Sequence, residues 1–304
     1  MSTSTAESGA EALLRESRER TDAILERWAG RLEREVPGTL GRAMAYALRS
    51  PGKRVRPALV IAAYRACGGL SPSIDGVAAA VETVHTYSLV HDDLPCMDDD
   101  DLRRGRPTTH RAFDVATATR VGFLLVPVAA RVLVEAGRTL GLSDAEIGRL
   151  AGELFTAGGI TGMVGGQWLD LEAEGKLLAL DELRAVHRGK TGALIEASCV
   201  LGALAARAPA PRLNAMRAYG RDIGLAFQVA DDVLDATGTS EELGKTAGKD
   251  AAVAKSTYVQ LLGVEGAREA AARHAEAAVN SLERSGVPAD TLAALARYIV
   301  TRRH

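Results

Sequence analysis

Apolar residues return at every third or fourth position along almost the whole of this 304-residue chain, and strict alternation of β-branched residues with polar ones is scarce. That is the period of an α-helix with one buried stripe, and a strand would need a period of two. The sequence therefore predicts an all-α protein of roughly ten to thirteen helices with essentially no sheet. Breakers such as Val36-Pro-Gly, Ser50-Pro-Gly, Gly68-Gly-Leu-Ser-Pro and Ala208-Pro-Ala-Pro separate the periodic segments. Thr191–Ala206 and Arg120–Val134 are apolar nearly all round, which predicts burial, and Pro127 predicts a kink in the latter. No linker, repeat or charge tail interrupts the pattern. One domain over residues 1–304 is the expectation, with disorder over about the first ten residues, MSTSTAESGA.

Composition narrows the function. A net charge of -2 and a pI near 6.3 leave no basic face for nucleic acid. Cys67, Cys96 and Cys199 are scattered, which fits a reducing compartment and neither a disulfide framework nor zinc. No uninterrupted apolar run reaches the ~18 residues of a membrane span, and the polar start is not a signal sequence. A soluble cytoplasmic protein is expected. Of 37 basic residues only six are lysines, so in this arginine-rich chain a lysine marks a place where a compact, flexible point charge is wanted.

Two aspartate clusters carry the chemistry. Asp92-Asp93-Leu-Pro-Cys-Met-Asp98 runs on through Asp101 into Arg103-Arg104-Gly105, and Asp231-Asp232-Val-Leu-Asp235 lies in the second half. Crowded carboxylates raise one another's pKa, and a cation relieves that repulsion. Oxygen-only ligands suit Mg²⁺, which is usually held by one or two carboxylates together with substrate phosphates. Arginines just behind the first cluster point to phosphate oxygens as the missing ligands.

Helical spacing places His85, Ser88 or Leu89, and Asp92 on one stripe. Pro95 then breaks the helix, so that Asp98 can swing back beside Asp92. Gly224, Gln228, Asp231 and Asp235 form a second polar stripe. Both clusters fall at helix C-termini, where the dipole disfavours negative charge, and such a broken local rule points to function. Positive charge comes from the loop Gly52-Lys53-Arg54-Val55-Arg56-Pro57, from Lys190 at the edge of an apolar segment, and from Lys245, Lys249 and Lys255 after the second cluster.

In this order the residues resemble the trans-isoprenyl diphosphate synthases, specifically the bacterial short-chain branch with farnesyl and geranylgeranyl diphosphate synthases. His85 to His110 resembles the family's first aspartate-rich motif in its longer form, and Phe227 to Asp235 resembles the second. Gly52 to Pro57, Gly165-Gly-Gln-Trp-Leu-Asp170 and Lys190-Thr191 match intermediate motifs. The resemblance implies the isoprenoid synthase fold, a helical bundle whose two motifs face each other across a deep central cavity.

The resemblance also implies roles. Asp92, Asp93, Asp98, Asp231 and Asp235 would bind three Mg²⁺ on an allylic diphosphate, which Arg103, Lys190, Lys245 and Lys255 would also contact. Lys53, Arg56, His85 and Arg104 would hold isopentenyl diphosphate, while Thr191 and Gln228 would set oxygen dipoles near the allylic carbon. Tyr87 and Ser88, five and four positions before the first aspartate, would floor the pocket in which the chain grows. A homodimer is expected.

The implied reaction is head-to-tail condensation of isopentenyl diphosphate with allylic diphosphates, ending at C15, with a C20 product as the alternative. A terpene cyclase would not need an isopentenyl site. A non-catalytic partner subunit would be expected to have eroded aspartates, and here they are intact. The chain departs from the family pattern at Pro51, Val115, Phe123 and Ala254, none of them a metal or diphosphate position.

Overall fold

The structure, a computed structural model, describes residues 3–238 and 256–302, with side chains from Gly9 onward. Helices dominate, as the periodicity requires. By proximity the chain divides into two compact units. An amino-terminal unit comprises Leu13–Ile61 and Ser71–Ala151, and a carboxy-terminal unit comprises Met1–Ala12, Ala62–Leu70 and Gly152–His304. Helices α1 (Thr3–Glu35) and α3 (Val55–Ala66) contribute residues to both.

Helix α1 begins at Thr3. Ala10, Leu13, Leu14, Ser17 and Thr21 are all buried at helical spacing, so the stripe that holds α1 starts within the polar leader.

In the amino-terminal unit, α4 (Ile74–Asp92) packs along α6 (Val115–Thr139), and α2 (Thr39–Leu48) packs on both. Asp114 caps α6 by accepting the Thr117 N–H at 2.8 Å. Helix α6 continues through Pro127. It is also the one described helix long and apolar enough to cross a membrane, with a mean hydropathy of 1.6 over its best window. Counting uninterrupted apolar runs overlooked it, because Thr and Arg punctuate a segment whose average stays high. Its Val121, Leu125, Ala129 and Val132 are buried against the unit's other helices. Sheet among the described residues is confined to one place, in keeping with the expectation of essentially none: Leu102–Arg103 (β1) pairs antiparallel with Arg106–Pro107 (β2). Arg104 and Gly105 between them both have positive φ, 53° and 74°, as a type I′ hairpin turn demands. The short α5 (Thr109–Ala112) follows and leads into α6.

Helix α7 (Asp144–Ala157) starts on a reciprocal cap between Ser143 and Glu146 and runs on into the carboxy-terminal unit. That unit holds α8 (Met163–Glu172), α9 (Leu180–His187), a π-helical turn (Arg188–Gly192), α10 (Ala193–Ala205), α11 (Ala210–Thr237), α12 (Tyr258–Glu283) and α13 (Asp290–Thr301). Helix α11 packs against α10 and α12, with Val229, Val233, Tyr258 and Ala267 in the core beneath its C-terminal half. The sequence predicted one regular helix from Thr191. The π turn instead inserts its extra residue where Lys190 and Thr191 sit.

Candidate active site

The amino-terminal unit carries the first aspartate cluster. Helix α4 ends at Asp92, and the chain turns so that the Asp98 N–H donates to the Asp92 carbonyl at 2.8 Å. Pro95 therefore returns Asp98 to Asp92, as the spacing predicted. Successive helical residues are rotated by about 100°, and the pair splits accordingly. Asp92 is half-buried, while Asp93 turns inward and is only 4% exposed.

The Asp93 carboxylate accepts from the Arg103 Nε at 2.5 Å, and the Arg103 Nη2 reaches Asp100 at 3.2 Å. Burial pushes the Asp93 carboxyl up to about 6, with Arg103 opposing that rise. Asp93 thus serves Arg103, whereas Asp92 and Asp98 are left on the outer side of the turn. The hairpin separates adjacent arginines: Arg103 lies on the strand beside Asp93, while Arg104 at the turn donates to the Pro51 carbonyl.

The basic loop sorts itself equally clearly. Arg54 is buried, donating to Asp22 at 2.7 Å, to Glu82 at 2.6 Å and to the Ser50 carbonyl at 2.7 Å. It is a structural ion pair. Lys53 is exposed, and Arg56 lies 3.4 Å from the His85 Nε2. Burial, with the guanidiniums of Arg56 and Arg104 adding to it, holds the His85 imidazole well below its ordinary pKa. A neutral His85 can accept from Arg56. Four arginines, Arg54, Arg103, Arg104 and Arg106, line one cavity of about 30 Å³. Ser88 donates to the His85 carbonyl at 2.9 Å, and the Tyr87 ring stands edge-on to His91.

The carboxy-terminal unit carries the second cluster on α11. Again the pair splits: Asp231 keeps a side-chain exposure of 38%, while Asp232 is 6% exposed. Asp232 accepts from the Tyr258 N–H at 2.8 Å and from the Gln228 Nε2 at 3.3 Å. Gln228 is thereby oriented so that its Oε1 accepts from the Thr191 hydroxyl at 2.8 Å. The stripe predicted from spacing forms, and Asp232 directs it. Asp235 is half-buried one turn beyond Asp231.

Lys190 donates to Asp170 at 2.7 Å, which assigns the aspartate of the Gly165–Asp170 motif to holding this lysine. The approach of α8 to the π turn depends on Gly166, where a Cβ would lie 1.9 Å from the Lys190 nitrogen. Arg302, just past α13, donates to Asp231 and lies over the Phe227 ring at 4.0 Å. Asp170 and Asp232 fall within motifs legible in the sequence but carry no role there, and Arg302 has no sequence signal, because Lys190, Tyr258 and Asp231, the partners that reveal them, lie 20, 26 and 71 residues away. Lys245 and Lys255 lie outside the described residues.

In each unit the half-buried carboxylates, Asp92 and Asp98 in the amino-terminal one and Asp231 and Asp235 in the carboxy-terminal one, offer only oxygen, the donor type that fits Mg²⁺. Among the described residues no three His, Cys, Asp or Glu side chains form a complete cage for an ion.

Residues 37–293 match the polyprenyl synthetase family. A farnesyl diphosphate synthase of Geobacillus stearothermophilus is 41% identical over 97% of this chain and 98% of its own. A chloroplastic geranylgeranyl pyrophosphate synthase of Catharanthus roseus is 45% identical over 88% of this chain and 74% of its own. Among solved structures, a geranyltransferase from Helicobacter pylori, complexed with magnesium and isoprenyl diphosphate, superposes with a TM-score of 0.78. It is 32% identical, and the match covers 95% of each chain. With both aspartate motifs intact and these similarities spanning nearly its whole length, the chain belongs to the polyprenyl synthetase family.

Proposed function

We propose that this protein is a short-chain trans-prenyltransferase that condenses isopentenyl diphosphate with allylic diphosphates and ends at the C15 product, farnesyl diphosphate. The observation that carries this reading is the matched splitting of the two aspartate pairs. Each buries its second member on a fixed partner and leaves its first on the outer side, beside further carboxylates and cations. Mg²⁺, three ions in this reading, would be held by Asp92, Asp98, Asp231 and Asp235 and would neutralise the charge of a diphosphate leaving group.

The chain's own residues supply the rest. Lys190, Arg103, Lys245 and Lys255 bind the allylic diphosphate and stabilise the charge that grows as its C–O bond breaks. Thr191 and Gln228 direct oxygen dipoles toward the allylic carbon, in an orientation set by Asp232. Lys53, Arg56, His85 and Arg104 hold isopentenyl diphosphate so that its double bond meets the allylic C1. A proton then leaves the new chain, with the departing diphosphate as the nearest strong acceptor. Tyr87 stops further growth, with C20 the alternative end point because Val115 and Phe123 alter the neighbouring wall. The reading carries a homodimer with it.

Incubation of the purified protein with geranyl diphosphate, isopentenyl diphosphate and Mg²⁺, followed by chromatography of the dephosphorylated products, tests the reading. A single C15 alcohol is expected, and loss of all product on chelation. Failure to extend any allylic diphosphate would overturn it.

A further inference from the structure

In the amino-terminal unit the last turn of α2 meets the hairpin that carries Arg103 and Arg104, and Tyr46 is the centre of that contact. The Tyr46 hydroxyl donates to the Pro107 carbonyl at 2.7 Å. The Arg106 guanidinium lies over the face of its ring at 4.4 Å, and the Phe113 ring stands edge-on to it at 5.6 Å and 77°. All three partners come from the chain that follows the hairpin turn, so one side chain grips the second strand and the segment leading out of it. Arg49, the residue that caps α2, adds a fourth contact, its carbonyl accepting from the Arg106 Nη1 at 2.9 Å. Two residues later the Pro51 carbonyl accepts from Arg104. These carbonyls lie at and just past the negative end of the helix dipole, where cations are favoured.

Arg103 is held in another way. On the first strand it meets the carboxylates of Asp93 and Asp100. Arg104 and Arg106 instead donate to neutral carbonyls, and Arg106 also rests on a ring face, contacts that fix a guanidinium without cancelling its charge. A Cβ at Gly52 would fall 2.4 Å from the Arg104 Nη1. The guanidinium therefore lies directly on the loop that carries Lys53 and Arg56. We propose that Tyr46 is a positioning residue for isopentenyl diphosphate: it sets the hairpin on the end of α2 and so brings Arg104 to the loop of Lys53 and Arg56. The inference rests on the prenyltransferase reading above and adds to its isopentenyl site a residue that need not touch the substrate. Helix α2 leads within a few residues into the basic loop, so through Tyr46 the hairpin and the loop share one support. Arg103 has a separate support in Asp93 at the end of α4, and an effect on one substrate only follows.

The test is the KM for isopentenyl diphosphate against that for geranyl diphosphate, from initial rates with Mg²⁺. Tyr46→Phe keeps the ring and loses the hydroxyl, and should raise the isopentenyl KM about threefold. Tyr46→Leu loses both and should raise it roughly five- to tenfold. Arg106→Met, which leaves Tyr46 in place, should raise it about threefold. In all three, kcat and the geranyl KM should stay within about twofold of wild type. Added to Arg104→Ala, Tyr46→Leu should raise the isopentenyl KM no further, because it acts through that arginine. Val77→Ala, which removes buried packing on α4, should leave both KM values unchanged.

Equal rises in the two KM values, or a Tyr46→Leu effect that multiplies with that of Arg104→Ala, would overturn the proposal and leave the enzyme assignment intact. Wild-type KM values in Tyr46→Leu would overturn it as well. So would a Val77→Ala profile matching that of Tyr46→Leu, by showing general loosening. Absence of any extension by the wild type would instead remove the underlying reading. If Tyr46→Leu does not fold by circular dichroism, Tyr46→Phe and Arg106→Met decide: a rise confined to the isopentenyl KM upholds the proposal, and unchanged values in both variants end it.

Discussion

Asp92-Asp93 and Asp231-Asp232 are the same two letters at the end of two helices, and both bury the second aspartate, at 4% and 6% exposure. What receives the buried carboxylate differs. Among the described residues, Asp93 meets the full positive charge of Arg103, whereas Asp232 accepts from the neutral donors of Gln228 and the Tyr258 backbone. The first half is a charge network. Arginines surround its carboxylates, and the balance of burial against those charges sets its ionisation. The second half is a chain of oriented dipoles, from the Thr191 hydroxyl through Gln228 to Asp232, with formal charge supplied at its edges by Lys190 and Arg302. Charge networks hold anions. Dipole chains aim atoms, so the first half suits grip and the second suits alignment.

The comparison breaks first if the outer aspartates are unequal. Asp92→Ala and Asp231→Ala should each lower kcat by roughly three orders of magnitude, since metal sites of this kind supply several kcal/mol of transition-state stabilisation. Steady-state kinetics at saturating Mg²⁺ checks this, and a near-normal rate in either variant would restrict metal binding to one half.

The inner aspartates should differ from each other. Asp93→Asn removes the buried one of the two carboxylates that Arg103 meets, leaving Asp100 alone, and should lower kcat about a hundredfold. Asp232→Asn retains an acceptor for the Tyr258 N–H and should cost only about tenfold, consistent with the greater strength of hydrogen bonds to charged groups. Equal losses would erase the distinction between network and dipole chain.

Arg103 and Arg104 sharpen the picture of the first half. Arg104→Ala should raise KM for isopentenyl diphosphate about tenfold, and Arg103→Ala should raise KM for the allylic substrate or lower kcat. Initial-rate measurements with each substrate varied would show the hairpin to be irrelevant if the two variants behaved alike.

The smallest effect is on stability. Burial in the second half lowers the His187 imidazole, stacked on Tyr258, to about 4. Its contribution is intact above the unfolded pKa of 6.5 and is lost as pH falls from there toward 4, because only the unfolded chain takes up the proton. At pH 5 the loss is about 2 kcal/mol. His187→Phe should flatten this part of the stability curve in urea unfolding at pH 7 and pH 5.

Much of this was legible in the sequence because it is periodic. The stripes ending in Asp92 and Asp235, the return of Asp98 after Pro95, and the all-helical frame follow from spacing alone. What was not legible depends on contacts between distant positions. Nothing local distinguishes Lys53 from Arg54, whose partners Asp22 and Glu82 lie 32 and 28 residues away. The inward turn of Asp93 and Asp232 likewise waits on Arg103 and Tyr258. Arg302 reaches Asp231 across 71 residues. The leader MSTSTAESGA is polar in composition, but its last alanine already belongs to a buried stripe. The hairpin was hidden because two strand residues on each side are too few for any alternation to show.

The π-helical turn at Arg188–Gly192 has a consequence for how this chain can vary. A π turn is an α-helical turn with one residue too many. Deleting any one of the five would let the helix close regularly, and by local energetics that is an improvement. It would also rotate everything before the deletion by about 100° relative to everything after it. The grip on Asp170 and the reach toward Gln228 could then no longer be made from adjacent residues. Substitutions can accumulate around this segment, but its length is fixed: the reading frame of the helix itself, one residue out of step, is what must be inherited.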